Sequence, residues 1–181
     1  MQIALIAGSN RKDAASTRLL RYIARRLEQG GSAAILLELH VMPLPLFVPD
    51  EEADHPNVHH LIETVRAADG LVIATPEYHG SVSGVLKNAL DYLDVAHVEG
   101  KPVLVASTAG GALGVSSLTH LQAIIRNLHG LNCPEWISLG GDSQRFAPDE
   151  LPQDLGVLER VDAALASFLA LLRNCRSQMA G

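Results

Sequence analysis

Two cysteines in 181 residues, Cys133 and Cys175, leave no basis for a disulfide framework. That usage fits a cytoplasmic compartment, with both thiols buried or idle. Basic residues are few as well: 14 Lys and Arg stand against 20 Asp and Glu, a formal net charge of −6. A nucleic-acid partner is disfavoured, because holding a phosphate backbone needs a basic face. No apolar run reaches the roughly 20 residues of a membrane-spanning helix. No charged leader with an apolar core and cleavage signal opens the chain, so neither a secretory leader nor a membrane partner is expected. His55, His59 and His60 cluster, but no third and fourth ligand follows at a suggestive spacing, so no metal is expected. No internal repeat, low-complexity tract or linker interrupts the chain, and residues 1–181 read as one domain.

What is present is apolar sequence in two alternating patterns. Short runs at Ile3–Ala7, Ala33–Leu39, Leu71–Ala74, Val103–Ser107 and within Leu131–Leu139 read as buried strands. Between and after them, residues 16–29, 57–68, 82–93, 116–129 and 154–173 carry apolar positions at helical spacing. Leu19, Leu20, Ile23 and Leu27 mark the inward face of the first helix, and Gly30-Gly31 ends it. On the same helix Arg18, Arg21, Arg25 and Arg26 read as a solvated face. Lys87 and Asp91, four apart on the third helix, read as a surface ion pair. Strand-helix alternation repeated five times predicts an α/β fold: a five-stranded parallel sheet covered on both faces, a three-layer sandwich. Right-handed crossovers and a phosphate-type loop after the first strand suggest the flavodoxin-like order 2-1-3-4-5.

In an open parallel sheet, ligands bind at the carboxyl ends of the strands. Three loops at that edge have unusual composition. The first, Gly8-Ser9-Asn10-Arg11-Lys12-Asp13-Ala14-Ala15-Ser16-Thr17, leads into a helix N-terminus. It is neither a GxGxxG fingerprint nor a Walker loop, since no GK[ST] follows. Hydroxyls from Ser9, Ser16 or Thr17, the charge of Arg11 and free backbone N–H groups suit one anion. A helix cap at Ser16 would explain that residue but not Ser9 and Arg11. The second loop, Pro76-Glu77-Tyr78-His79-Gly80, follows strand three, and the third, Ser107-Thr108-Ala109-Gly110-Gly111, follows strand four. Glycines at such an edge permit close backbone approach. After strand two, Pro43-Leu44-Pro45-Leu46-Phe47 leaves Phe47 either at a pocket mouth or as a loop anchor.

These segments resemble the NAD(P)H-dependent FMN reductases, a flavodoxin-like family that includes the azobenzene reductases. Gly8, Ser9, Arg11, Ser16 and Thr17 match its Gly-(Ser/Thr)-x-Arg pattern with Ser/Thr residues opening the helix. The resemblance implies that Ser9, Arg11, Ser16 and Thr17 hold the FMN 5′-phosphate. It implies that Pro76, Glu77, Tyr78, His79 and Gly80 pass along the isoalloxazine, with N–H groups near its N5 and O4 edge. Ser107, Ala109, Gly110 and Gly111 would lie against the pyrimidine end. Fixed N–H dipoles suit a ring that gains negative charge on reduction. Many relatives carry Ser near position 14 and Lys or Arg near 113, where this chain has Ala14 and Leu113.

The implied activity is hydride transfer from NADPH or NADH to bound FMN, then reduction of a second acceptor such as an azo dye, a quinone or free flavin, in a ping-pong scheme. The flavin carries the chemistry, so no side chain is expected to be catalytic, and Glu77 and His79 are read as positioning groups. Helix three has more apolar surface than one core-facing stripe needs. With the resemblance, this implies a homodimer or homotetramer. Two other classes remain open: a flavodoxin-type electron carrier and a flavin-binding sensor. Carriers are strongly acidic and sandwich the ring with aromatics, and this chain has only one Trp, three Tyr and three Phe.

Overall fold

A computed structural model describes residues 1–51 and 54–179. Five strands, β1 (Gln2–Ala7), β2 (Ala33–Glu38), β3 (Gly70–Pro76), β4 (Pro102–Ala109) and β5 (Leu131–Gly140), form one parallel sheet of order β2-β1-β3-β4-β5. The helices are α1 (Ala15–Gln29), α2 (Pro56–Ala67), α3 (Gly84–Asp91), α4 (Val95–Val98), α5 (Val115–Asn127) and α6 (Leu155–Met179). The expected flavodoxin-like order is therefore the observed one.

Strand alternation builds two cores. Ile3, Leu5, Val72, Leu104 and Ile137 face α1 and α6, where Ile23, Leu27, Val161 and Phe168 meet them. Ala4, Ile6, Ile73, Val103 and Val105 face the other way, against Leu61 and Val65 of α2, Leu86 and Leu90 of α3, and Leu121 and Ile125 of α5. Burial of β1, β3 and β4 on both faces explains why their sequences read as unbroken apolar runs.

The differences from the sequence reading fall at element ends. Helix α3 begins at Gly84, not at residue 82, because the Ser83 hydroxyl caps it by accepting from Leu86 N at 3.1 Å. Helix α4 and a 3₁₀ turn at Gly141–Gln144 are too short to show a period. Of the large apolar residues at residues 82–93, which the sequence reading took to exceed one core-facing stripe, Leu86, Leu90 and Leu93 are buried, and Val82, Val85 and Tyr92 are half-buried.

Away from the strands' carboxyl ends, one polar cluster fastens α2 to α4. Lys101 Nζ donates to the carbonyls of Val65 and Arg66 at 2.7 Å each, closing the end of α2. His97 is buried, with Nε2 3.1 Å from Arg66 Nη2 and Nδ1 3.2 Å from Asp94 Oδ1. Asp94 N also donates to Nδ1 at 3.1 Å, and a guanidinium carries only donors, so both contacts disfavour a doubly protonated ring. Burial is the main influence holding the His97 imidazole below its ordinary range; Asp94 opposes it, while Arg66 and Lys101 reinforce it.

The sign follows from linkage. The unfolded chain binds this proton near the ordinary value of about 6.5, and the folded chain binds it only at lower pH. The stability that neutral His97 contributes is thus complete above about pH 6.5 and declines as pH falls below it. We expect the urea midpoint to fall between pH 7.5 and 5.5, and to fall less in His97→Gln. Equal pH slopes for the two proteins would contradict this assignment.

Candidate functional site

The carboxyl edge of the sheet brings the first three singled-out loops together. Gly8 N donates to Ala74 O at 2.8 Å, so the end of β1 is pinned to β3. The Ser83 hydroxyl donates to the Gly8 carbonyl, and Ser83 N donates to Thr75 Oγ1 at 3.0 Å. One serine thereby joins the ends of β1 and β3 and the start of α3.

The N-cap of α1 is Ala14, which supplies no side-chain acceptor to the first-turn N–H groups. Ser16 is not the cap; it sits inside the first turn and is fully buried. Among the described residues, Ser16 Oγ and Thr17 Oγ1 are buried without a hydrogen-bond partner. Ser9 is buried beside them, and its Oγ accepts from Arg11 N at 3.1 Å. A helix end with unmatched donors and bare buried hydroxyls is suited to an anion. The Arg11 side chain is exposed at its rim.

After β3 the chain makes a two-residue hairpin. Tyr78 N donates to Ser81 O at 3.0 Å and Ser81 N donates to Tyr78 O at 3.1 Å. His79 and Gly80 between them have φ of 52° and 74°, the left-handed pair of a type I′ turn. Gly80 takes this conformation freely, and His is among the side chains that tolerate it best. Glu77 turns away from the tip: its Oε2 accepts from Ser117 N at 2.8 Å, in the first turn of α5. His120 Nδ1 lies 3.0 Å from Ser81 Oγ and fastens the hairpin to the same helix.

The β4 loop closes the other side. Ser107 is buried and donates to Gly114 O at 2.6 Å, so its hydroxyl is already engaged. Gly110 and Gly111 face open space where a side chain would project. The three loops enclose a cleft of about 380 Å³. Arg11, Ala14 and Ala15 line one side, Pro76, Glu77 and Tyr78 the floor, and Thr108, Gly110 and Gln144 the rest. Of the residues expected from sequence, Arg11, Pro76, Glu77, Tyr78 and Gly110 line this cleft, whereas Ser9, Ser16, Thr17, Ser107, Ala109 and Gly111 do not line it and are its lining residues' neighbours in sequence. His79 and Gly80 form the tip of the hairpin that follows Tyr78 and do not line the cleft. Thr108 and Gln144 were not expected. Gln144 follows the carboxyl end of β5, so the strand-end rule applied to the fifth strand would have pointed to it.

Other sequence readings resolve as follows. Of the α1 arginines expected on a solvated face, Arg25 is exposed, whereas Arg18, Arg21 and Arg26 are half-buried in ion pairs. Arg21 makes a paired contact with Glu38 at 2.7 and 2.8 Å, and Arg18 reaches Glu150 at 2.7 Å. Arg25 donates to Asp149 O at 2.6 Å, and Arg26 pairs with Asp162 at 2.7 Å. Phe47 is a loop anchor: it stacks edge-on against Tyr92 at 5.2 Å, and its N–H donates to Asn88 Oδ1 at 2.8 Å. His55 caps α2 by accepting from Asn57 N at 3.2 Å. Lys87 and Asp91 form the expected ion pair, at 2.6 Å.

Comparison with known proteins identifies relatives of this chain. The family described as NADPH-dependent FMN reductase matches residues 1–144. The FMN-dependent NADPH-azoreductase of Staphylococcus aureus is 34% identical over 139 residues, covering 74% of each chain. Among solved structures, the NAD(P)H:(acceptor) oxidoreductase FerB of Paracoccus denitrificans superposes with a TM-score of 0.78 at 23% identity, over 96% of this chain and 97% of that one. An NADH:FMN oxidoreductase in its apo form gives 0.72 at 21% identity, over 93% and 89%. The structural likenesses establish the fold, and the sequence matches establish the lineage: this chain belongs to the NADPH-dependent FMN reductase family.

Proposed function

We propose that the chain binds FMN noncovalently in the cleft and passes reducing equivalents from NADPH or NADH to a second small molecule, such as an azo dye, a quinone or free flavin. The observation that carries this reading is the pair of partnerless buried hydroxyls, Ser16 Oγ and Thr17 Oγ1, at the uncapped N-terminus of α1. A phosphate there would meet donors that nothing else in the protein satisfies. The residues present therefore fit the group. Ser9, Ser16, Thr17 and Arg11 would hold the phosphate, the hairpin of Pro76–Gly80 would flank the ring, and Gly110 and Gly111 leave space at its far end. When bound, FMN supplies the two-electron redox chemistry.

The chain's own part is positioning. Glu77 holds the first turn of α5 through Oε2, and His79 sets the hairpin turn. Reductant and acceptor would occupy one cleft in turn, a ping-pong scheme. Two free thiols are consistent with a cytoplasmic setting. Mixing the FMN-loaded protein with NADPH without oxygen should bleach the flavin absorbance, and an acceptor should restore it. No bleaching with either nicotinamide would refute the reductase reading, and intersecting rather than parallel double-reciprocal lines would refute the ping-pong part.

The proposal includes a second copy of this chain. Leu46 and Val41 are 81% and 73% exposed, and Leu46 borders an apolar groove of about 490 Å³ lined also by Leu39, Leu44 and Val85. Exposed apolar surface of this kind marks interaction sites. Sedimentation should show a homodimer or homotetramer that Leu46→Asp shifts towards monomer. A wild-type monomer at micromolar concentration would overturn this.

Arg11→Ala should weaken FMN but not riboflavin, by about 1.5–3 kcal/mol if a charge-assisted bond to phosphate is lost. Fluorescence titration decides it, and equal weakening of both ligands would exclude a phosphate role. For His79 the expectation is conformational. His79→Asn should keep NADPH-driven FMN reduction within about tenfold, about 1.4 kcal/mol of barrier, because Asn accepts positive φ. A loss of several orders of magnitude with FMN still bound would make His79 a proton donor after all.

A further inference from the structure

The segment after β5 is held far more firmly than a surface connection requires. Its 3₁₀ turn is closed by Ser143, whose Oγ accepts from Gly140 N at 2.9 Å and donates to Gly140 O at 2.8 Å. A methyl group at Gly140 would collide with the carbonyl oxygens of Gly111 and Ala112, so the turn and the β4 loop touch backbone to backbone. Beyond it, Phe146 is buried under the Arg18 guanidinium, 5.4 Å from the ring centre. Arg18 Nη2 donates to Ala147 O at 2.5 Å, and Arg21 reaches Glu150 at 3.2 Å. These arginines belong to α1, the helix whose N-terminus carries the anion cradle. The turn is thus fixed relative to both the cradle and the glycine loop.

Gln144 is the residue this arrangement delivers to the cleft. Its Nε2 donates to the Ala109 carbonyl, and its side chain lines the cavity with Arg11, Tyr78, Thr108 and Gly110. An Ala109 carbonyl left bare beside this wall would repel an acceptor-rich ring edge. The amide engages that carbonyl and still has a second N–H and an oxygen to present.

We propose that Gln144 is a positioning residue for the flavin ring: it orders Ala109–Gly111 and offers a carboxamide to the donor–acceptor edge of the pyrimidine. This rests on the flavin reading above. It adds a wall from the fifth strand to a site that the sequence placed on the first, third and fourth.

A ring contact and a phosphate contact have different signatures. Gln144→Ala and Gln144→Met should weaken FMN and riboflavin equally, by roughly tenfold, with the melting temperature of the ligand-free protein unchanged. Gln144→Glu should make the midpoint potential of bound FMN more negative, because reduction adds negative charge to the ring beside a carboxylate. Unchanged titrations for Ala and Met would overturn the proposal while leaving the flavin reading intact, and so would weakening of FMN alone or a potential unmoved in Gln144→Glu. Wild-type protein that binds neither FMN nor riboflavin would overturn both.

Discussion

Among the described residues, two hydroxyls inside the first turn of α1 are buried without a partner. A buried hydroxyl without a hydrogen bond costs about 1–3 kcal/mol. Ser16 and Thr17 together therefore hold back a sizeable fraction of the roughly 5–15 kcal/mol by which a domain is stable. An ordinary helix would in addition satisfy its first-turn N–H groups with a capping Ser or Asp. Here the cap is Ala14, which has nothing to give. The arginines that look like surface charge hold α1 to β2, to the segment after β5 and to α6, so the helix cannot rotate to bury the debt elsewhere.

The same logic organises the other two walls. The hairpin after β3 spends its polar side chains on structure: Glu77 on the end of α5 and Ser81 on His120. Of this segment, Pro76, Glu77 and Tyr78 line the cleft. A redox ring needs dipoles that do not reorganise as its charge changes, and backbone N–H groups fixed by a tight turn are of that kind.

Sheet order and both core faces were readable because β1, β3 and β4 are buried on two sides and so stand out as runs of Ile, Leu and Val. Helix periodicity supplied the rest of the fold, apart from α4 and the 3₁₀ turn, which are shorter than one repeat of the signal. The phosphate loop could be seen in residue types, yet Ser16 as cap and Ser16 as ligand have the same spacing; only its burial inside the helix separates them. Arg18 and Glu150 are 132 positions apart, so no local pattern could show that they meet. Gln144 was missed for a related reason. A polar residue in a polar loop carries no mark until the sheet places that loop over the Ala109 carbonyl.

Ser83 has a mechanical consequence. Its hydroxyl and amide tie the ends of β1 and β3 to the start of α3, all beneath the cleft. The loop after β1 and the end of β3 are therefore fastened together, as one jaw of the cleft. A guest entering such a jaw loses its own freedom but does not have to quiet the walls. The entropy normally spent on ordering loops at the moment of binding has been settled during folding.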